Sequence, residues 1–387
     1  MSNIRVNAIT DEAGTGAPDF PNGYTVAGAV PAGGFSYAAV SGATQALDVG
    51  AHNFFDAGTL TADTTISFTN VPTEAQWTYT AKAAPTTTYD LTAGSYRRNF
   101  NVYLWSTSPK DVFFKPDGTG FYVLNGGNNL FEFSLGKAWD ITTALYLRYF
   151  SVSSQVGTTA GLAFKSDGTK LYVLDFFGSV FQYSLSTAWD ISTASYDSVS
   201  FSVAAQYSNM NALEFSADGT KMYVSGSNST IYQYTLSTAW ALNTASYSSI
   251  SKSVSAEETG VQGIFFKPDG TKMYVIGSTG DDVNQYTLST AWNVSTASFD
   301  SITFYTGIQD SNPQGIFISP EGEKLYVLGG ALRFISEYSI AAVTTLTTPA
   351  SVQNPPSEVY YAGSQVAYTF VTANAGTTVK LINEQVV

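Results

Sequence analysis

The chain has 387 residues, 17 of them Lys or Arg and 30 Asp or Glu, for a net charge of −13, and only 12% of its residues are charged. That balance excludes binding to nucleic acid or anionic lipid through clustered cations. It has no cysteine, which excludes disulfides and thiolate metal sites and leaves stability to burial and hydrogen bonding.

Phe and Tyr, 25 of each, favour an all-β protein, because aromatic and β-branched side chains suit pleated surfaces. The first segment, Met1-Ser2-Asn3-Ile4-Arg5-Val6-Asn7, has no apolar core of signal-peptide length. Nowhere is there a run of about 18 apolar residues, so neither standard secretion nor membrane insertion is expected. Residues 1–44 are rich in Gly, Pro and Ala and read as an extended N-terminal attachment arm. Residues 45–84 carry short alternating runs at Asn53-Phe54-Phe55, Thr64-Thr65-Ile66-Ser67-Phe68 and Trp77-Thr78-Tyr79-Thr80, as half-buried strands do.

A repeat then takes over. Asp117-Gly118, Asp167-Gly168, Asp218-Gly219 and Asp269-Gly270, with Glu321-Gly322 as a variant, recur at steps of 50 to 52 residues. Short alternating strands at this period mark the blades of a β-propeller. In one unit, 161–165 is strand a, Ser166-Asp167-Gly168-Thr169 a hairpin turn, 170–174 strand b, 180–185 strand c and 196–203 strand d. Trp139, Trp189, Trp240 and Trp292 mark one place in four units. The fifth unit, 315–340, has no strand d. Residues 89–102 supply one without a preceding a–b–c, with Tyr89 standing where the others have Trp. Five four-stranded blades follow, the N-terminal strand closing the last, and this closure removes an open edge. A ring that begins and ends at one place suits insertion into another domain. Residues 344–387 carry further alternating runs, Val366–Val371 and Thr377–Ile382. The expected organisation is therefore a propeller over 85–343, set into a small discontinuous β-sandwich of 45–84 with 344–387.

Ile4-x-Val6-Asn7-x-Ile9, Gly14-Thr15-Gly16-Ala17-Pro18 and Phe20-Pro21-Asn22-Gly23 are the motifs by which residues 1–26 resemble the N-termini of fibre and other virion proteins of tailed bacteriophages, particularly marine ones. Asn53-Phe54-Phe55, Thr64–Phe68, Pro349-Ala350-Ser351-Val352, Pro355-Pro356 and Tyr368-Thr369-Phe370-Val371-Thr372 look like a small β-domain of phage tail and fibre proteins. Its two halves run on directly in that family, whereas here 85–343 intervene. The blade repeats also resemble propeller repeats of phage and bacterial surface proteins. The resemblance implies a non-enzymatic virion structural protein, made in the host bacterial cytoplasm and exposed on the particle. It would be a tail fibre or receptor-binding protein whose arm contacts other virion proteins and whose propeller contacts a host-surface glycan or protein. It implies a homo-oligomer, a trimer being favoured. Capsid decoration (a head fibre) and a polysaccharide depolymerase acting at adsorption are the alternatives.

Chemistry-bearing residues are few. The Asp-Gly turns lack the alternating carboxylates of calcium loops and read as hairpins. The repeated tryptophans read as packing between blades rather than a sugar-stacking surface. His52 is the single histidine and has no Gly-x-Ser-x-Gly elbow beside a triad, so it reads as an ordinary histidine. Arg97-Arg98 on the clasp strand reads as a surface ion pair. Glycosidase chemistry needs two carboxylates at the central funnel. The column Phe113, Ala163, Glu214, Phe265, Phe317 offers one, and the column Lys110, Ala160, Asn211, Gln262, Gln314 none. Asp111, Glu257, Glu258 and Asp310 lie nearby in sequence. The candidate ligand-binding residues of the propeller funnel are Asn211, Glu214, Gln262 and Gln314, with Glu214 either reaching channel solvent or pairing with Lys110. No catalytic residue, metal or cofactor is expected.

Overall fold

The computed structural model describes residues 37–40, 44–49, 51, 54–60, 64–70, 76–83, 88–341, 346–347, 352–353, 365–373 and 378–386. Most of the expected arm, residues 1–36, and His52 lie outside the described residues. The chain divides into two compact units, Thr88–Ala341 and the segments flanking it on both sides.

In the flanking unit, β1 (Tyr37–Ala39), β2 (Thr44–Asp48), β3 (Phe54–Leu60), β4 (Thr64–Thr69) and β5 (Gln76–Ala83) alternate between two sheets. β1, β3 and β5 pair in parallel in one sheet, and β2 and β4 in the other. Parallel neighbours need a crossover, and here each crossover is a strand of the opposite sheet, so the chain advances as a coil. The sheets are tied together by a buried hydrogen bond, the Tyr79 hydroxyl donating to Gln45 Oε1 at 3.0 Å, and Leu47, Phe55 and Ile66 of the same unit are also buried. The alternating runs suggest a sandwich. Period-two alternation reports a half-buried strand but not the direction of its neighbours, so it does not reveal the coiled parallel connectivity. The expected arm boundary at residue 44 is also corrected, because Tyr37–Ala39 already pairs with β3.

The propeller follows β5. β6 (Ser95–Asn101) precedes blade 1, which is β7 (Pro109–Phe114), β8 (Gly120–Asn125), β9 (Asn129–Leu135) and β10 (Ala144–Ser151). Blade 2 is β11 (Thr159–Phe164), β12 (Lys170–Asp175), β13 (Ser179–Leu185) and β14 (Ala194–Ser202). Blade 3 is β15 (Met210–Phe215), β16 (Lys221–Gly226), β17 (Thr230–Leu236) and β18 (Ala245–Ser253). Blade 4 is β19 (Val261–Phe266), β20 (Lys272–Gly277), β21 (Asp282–Leu288) and β22 (Ala297–Tyr305). Blade 5 is β23 (Pro313–Ile318), β24 (Lys324–Gly329) and β25 (Phe334–Ser339), completed by β6 in the order β23-β24-β25-β6. Five four-stranded antiparallel blades with an N-terminal clasp are the arrangement the repeat implied.

The second strand of each blade is covered on both faces and reads as a mostly apolar run, whereas the outermost strand alternates between partly buried and exposed. After β25 the flanking unit resumes with β26 (Leu346–Thr347), which pairs in parallel with β4. β27 (Val352–Gln353) and the hairpin of β28 (Gln365–Ala373) and β29 (Thr378–Val386) extend the first sheet, β28 lying antiparallel to β5. In chain order, then, the propeller occupies the crossover between β5 and β26.

Blades are joined by a ring of hydroxyl-to-carbonyl bonds. The hydroxyls of Tyr172, Tyr223 and Tyr326 donate to the backbone oxygens of Trp240, Trp292 and Trp139 at 2.5, 2.7 and 2.8 Å, and Tyr122 donates likewise to Trp189. Tyr274 donates to Tyr89 O at 2.9 Å, so Tyr89 takes the tryptophan's place in the ring. Each of these acceptor residues has φ between 56° and 67°, its N–H donating to the glycine carbonyl of its own blade's turn. The indole lies against that glycine. At Gly219 φ is +70°, and a Cβ built there overlaps the Trp240 ring. Asp218 Oδ1 accepts from the Thr220 N–H and hydroxyl, closing the turn. These tryptophans pack the ring, as expected.

The clasp strand is anchored by charge. Glu337 on β25 is fully buried, with Arg98 of β6 at 3.6 Å and Lys324 at 3.2 Å. Arg98 also reaches Asp140 of blade 1 at 2.7 Å. The expectation of a surface ion pair is corrected for Arg98, because the register Glu337↔Arg98 sets the arginine over a buried carboxylate.

Two outcomes are expected in urea denaturation. Gly219→Ala should lower stability by about 2–4 kcal/mol, combining the left-handed backbone with overlap on Trp240. Arg98→Met should cost about 2–3 kcal/mol, less than loss of a sole partner because Lys324 remains beside Glu337.

Candidate functional site

The five inner strands β7, β11, β15, β19 and β23 surround the axis. Their aligned positions run inward as Lys110, Ala160, Asn211, Gln262, Gln314; then Asp111, Gly161, Ala212, Gly263, Gly315; then an aliphatic layer; then Phe113, Ala163, Glu214, Phe265, Phe317. The last layer is largely a plug, with Phe317 ring centroids 5.5 Å from Phe113 and 5.6 Å from Phe265.

Asp111 and Glu214 line a cavity of about 10 Å³ within the channel, room for one water. Asp111 Oδ1 accepts from the Val112 N–H at 2.8 Å, and Oδ2 from Leu162 of blade 2 at 2.9 Å. A side chain on Gly315 would collide with this carboxylate, so the glycine makes space for it. Glu214 accepts from the Phe215 N–H at 3.2 Å and makes no ion pair with Lys110. Burial pushes Asp111 up to about 7, its two backbone hydrogen bonds opposing this. Burial pushes Glu214 up to about 8, opposed by Phe215 and reinforced by the Asp111 charge. A carboxyl pair therefore exists, which the single-column reading missed. It faces a space that admits water and no sugar ring. The signal was present one column away, where Asp111 interrupts a series of Gly and Ala.

Above this lies a mouth of about 330 Å³ to which all five blades contribute. It brings together Asn211, Gln262 and Gln314 and adds Lys110, Phe176 and Asn312, while Glu214 belongs to the inner cavity. Asn211 Nδ2 donates to Val261 O at 2.9 Å, and Gln314 Nε2 to Asn312 Oδ1 at 2.9 Å and Pro313 O at 3.3 Å. Gln262 Nε2 donates to Ser278 Oγ at 3.4 Å. The amide nitrogens are thus pinned to the protein, and among the described residues the three side-chain oxygens accept no hydrogen bond. Lys110 is the single charged side chain lining the mouth.

The other carboxylates near the channel hold loops. Glu258 accepts from the N–H groups of Gly260, Thr279 and Gly280, and Asp310 from those of Asn312, Ala331 and Leu332. Glu257 accepts the Tyr286 hydroxyl at 3.1 Å. Among the described residues no group of three or more His, Asp or Glu is placed to hold a metal ion.

No protein-family model and no curated protein matches the chain. Among solved structures it is similar to a chain described as "Crystal Structure of Mitotic Checkpoint Complex", at 10% identity and a TM-score of 0.36. The match covers 57% of this chain and 61% of that one, so this chain spans about three fifths of its length.

The carboxyl pair makes stability depend on pH. Both folded-state values lie above the ordinary range near 4, so the folded protein holds protons that the unfolded chain releases. The stability this adds is complete below pH ~4 and is lost as pH rises through about 7 and 8. Thermal unfolding midpoints from pH 5 to 9 should therefore fall less steeply in Glu214→Gln, and less still with Asp111→Asn added; an unchanged slope would contradict this assignment.

Proposed function

We propose that this chain is a non-enzymatic structural protein of a bacteriophage virion, a tail fibre or receptor-binding protein whose propeller contacts a host-surface glycan. The binding half of this reading is carried by one observation, the polar mouth of about 330 Å³ that presents amide oxygens and an ammonium group from several blades. Its volume is in the range of ligand sites, and amides suit hydroxyl-rich ligands because they accept and donate at fixed positions. The virion half is supported by the motifs at 4–9, 14–18 and 20–23. A propeller whose entry and exit meet can be mounted on a second domain, which suits a module held away from a particle.

The Asp111–Glu214 pair is the feature that favours a depolymerase. Glycoside cleavage requires two carboxyl groups on either side of a bound sugar, and a cavity of about 10 Å³ gives no place for one. The pair is better accounted for as part of the channel wall.

Antibodies raised against the recombinant propeller should label purified phage particles from a lysate that produces this chain. They should also slow adsorption of those particles to host cells. Failure to find the chain in purified particles by mass spectrometry would overturn the virion assignment.

A further inference from the structure

We propose that the mouth selects an acidic saccharide, a hydroxyl-bearing ring with one carboxylate, and that Lys110 sets this choice. This rests on the reading of the mouth as a glycan site. The side-chain oxygens of Asn211, Gln262 and Gln314 lack hydrogen-bond partners among the described residues, while their nitrogens are committed to Val261, Ser278 and Asn312. Three fixed acceptors want donors, and sugar hydroxyls are donors. The remaining requirement is an anion, because Lys110 contributes three donors and a positive charge and makes no ion pair or hydrogen bond among the described residues. Its equivalents in the other blades are Ala160, Asn211, Gln262 and Gln314, so the charge is a departure from the repeat rather than a requirement of the fold.

Phe176, reaching the same mouth from the turn after β12, offers a ring for the apolar face of a pyranose. Among the described residues no Asp or Glu lines the mouth to compete for the ammonium. Burial raises the carboxyl groups beneath it, Asp111 to about 7 and Glu214 to about 8, so below neutral pH they are mostly protonated and cancel little of its charge. An acceptor triad with one cation is thus complementary to a uronic-acid type of sugar and less so to its neutral counterpart.

Binding of sodium glucuronate, glucose and inorganic phosphate to the full-length chain, followed by NMR titration at pH 6.5 and low salt, tests this. Glucuronate should bind at least about tenfold more tightly than glucose or phosphate, with affinity falling as salt is raised. Lys110→Met should reduce glucuronate to the level of glucose, and Lys110→Arg should retain the preference. Gln262→Leu with Gln314→Leu should weaken both sugars. If glucose matches glucuronate, or Lys110→Met in a chain with an unchanged circular dichroism spectrum leaves the preference intact, the inference is wrong while the glycan reading stands. If phosphate matches glucuronate, the mouth is an anion site and the saccharide assignment fails. If neither sugar binds, both readings fail.

Discussion

The propeller depends on five bulky residues held at positive φ. Tyr89, Trp139, Trp189, Trp240 and Trp292 each adopt a backbone that costs a side-chain-bearing residue about 1–3 kcal/mol. The conformation persists because it is determined from two sides. The residue's own blade takes its N–H at the turn glycine and covers its ring, while the preceding blade's tyrosine hydroxyl takes its carbonyl. No blade can supply both. Forming one turn therefore calls for its neighbour, and the ring is cooperative for a reason that can be named at each joint. The Asp-Gly pair is part of the same device: the glycine is needed for its left-handed backbone and again because an indole or phenol ring occupies the space of a Cβ.

With the joints repeated, the inner strands become equivalent and the channel is built of columns. Repetition preserves what the ring needs, so positions where one blade departs from the others are where binding chemistry can be placed without loss of fold. Lys110, Asp111 and Glu214 are such departures. Lys110 and Asp111 are successive residues on one strand, yet one lines the mouth and the other the inner cavity; the ladder with β8 is irregular between Pro109 and Asp111, which leaves Lys110 out of the regular pairing. Two consecutive departures from the repeat in a single blade thereby line two separate compartments.

Much of this was legible in the sequence. The period gave the blade count, the fifth unit's missing strand pointed to residues 89–102, and the amides Asn211, Gln262 and Gln314 fell in one column because their strands share a register. What escaped notice has physical causes. Whether strands run parallel depends on the path of the connections, so β1–β5 could be found as strands while their coil could not. Glu214 shares an inner strand with Asn211, but three residues of rise separate the two and place Glu214 behind the aliphatic layer. Arg98 reads from sequence as a surface residue because its partner Glu337 lies in the last blade, far along the chain, and only pairing of β6 with β25 unites them.

That distant pair bears on how the ring closes at all. In blades 2 and 4 the aligned position on the third strand is glutamine, with Gln182 and Gln285 each donating to an aspartate on the fourth strand at 2.7 Å. Blades 1 and 5 carry Glu132 and Glu337 instead, facing Arg148 and Arg98. These are ion pairs at 3.5 and 3.6 Å rather than hydrogen bonds, and at the seam the attraction offsets part of the loop-closure cost of joining chain ends so far apart, a cost that adjacent strands avoid. At the seam Arg98 touches Glu337 of blade 5 and Asp140 of blade 1, so one side chain from the clasp binds both sides of the closure. Two further bonds finish it: Asp90 N–H donates to Ile340 O at 3.1 Å and Tyr89 N–H to Gly322 O at 2.7 Å. The first and last residues of the propeller are therefore hydrogen-bonded neighbours. The ends that an insertion must bring together are thus already adjacent within the propeller itself.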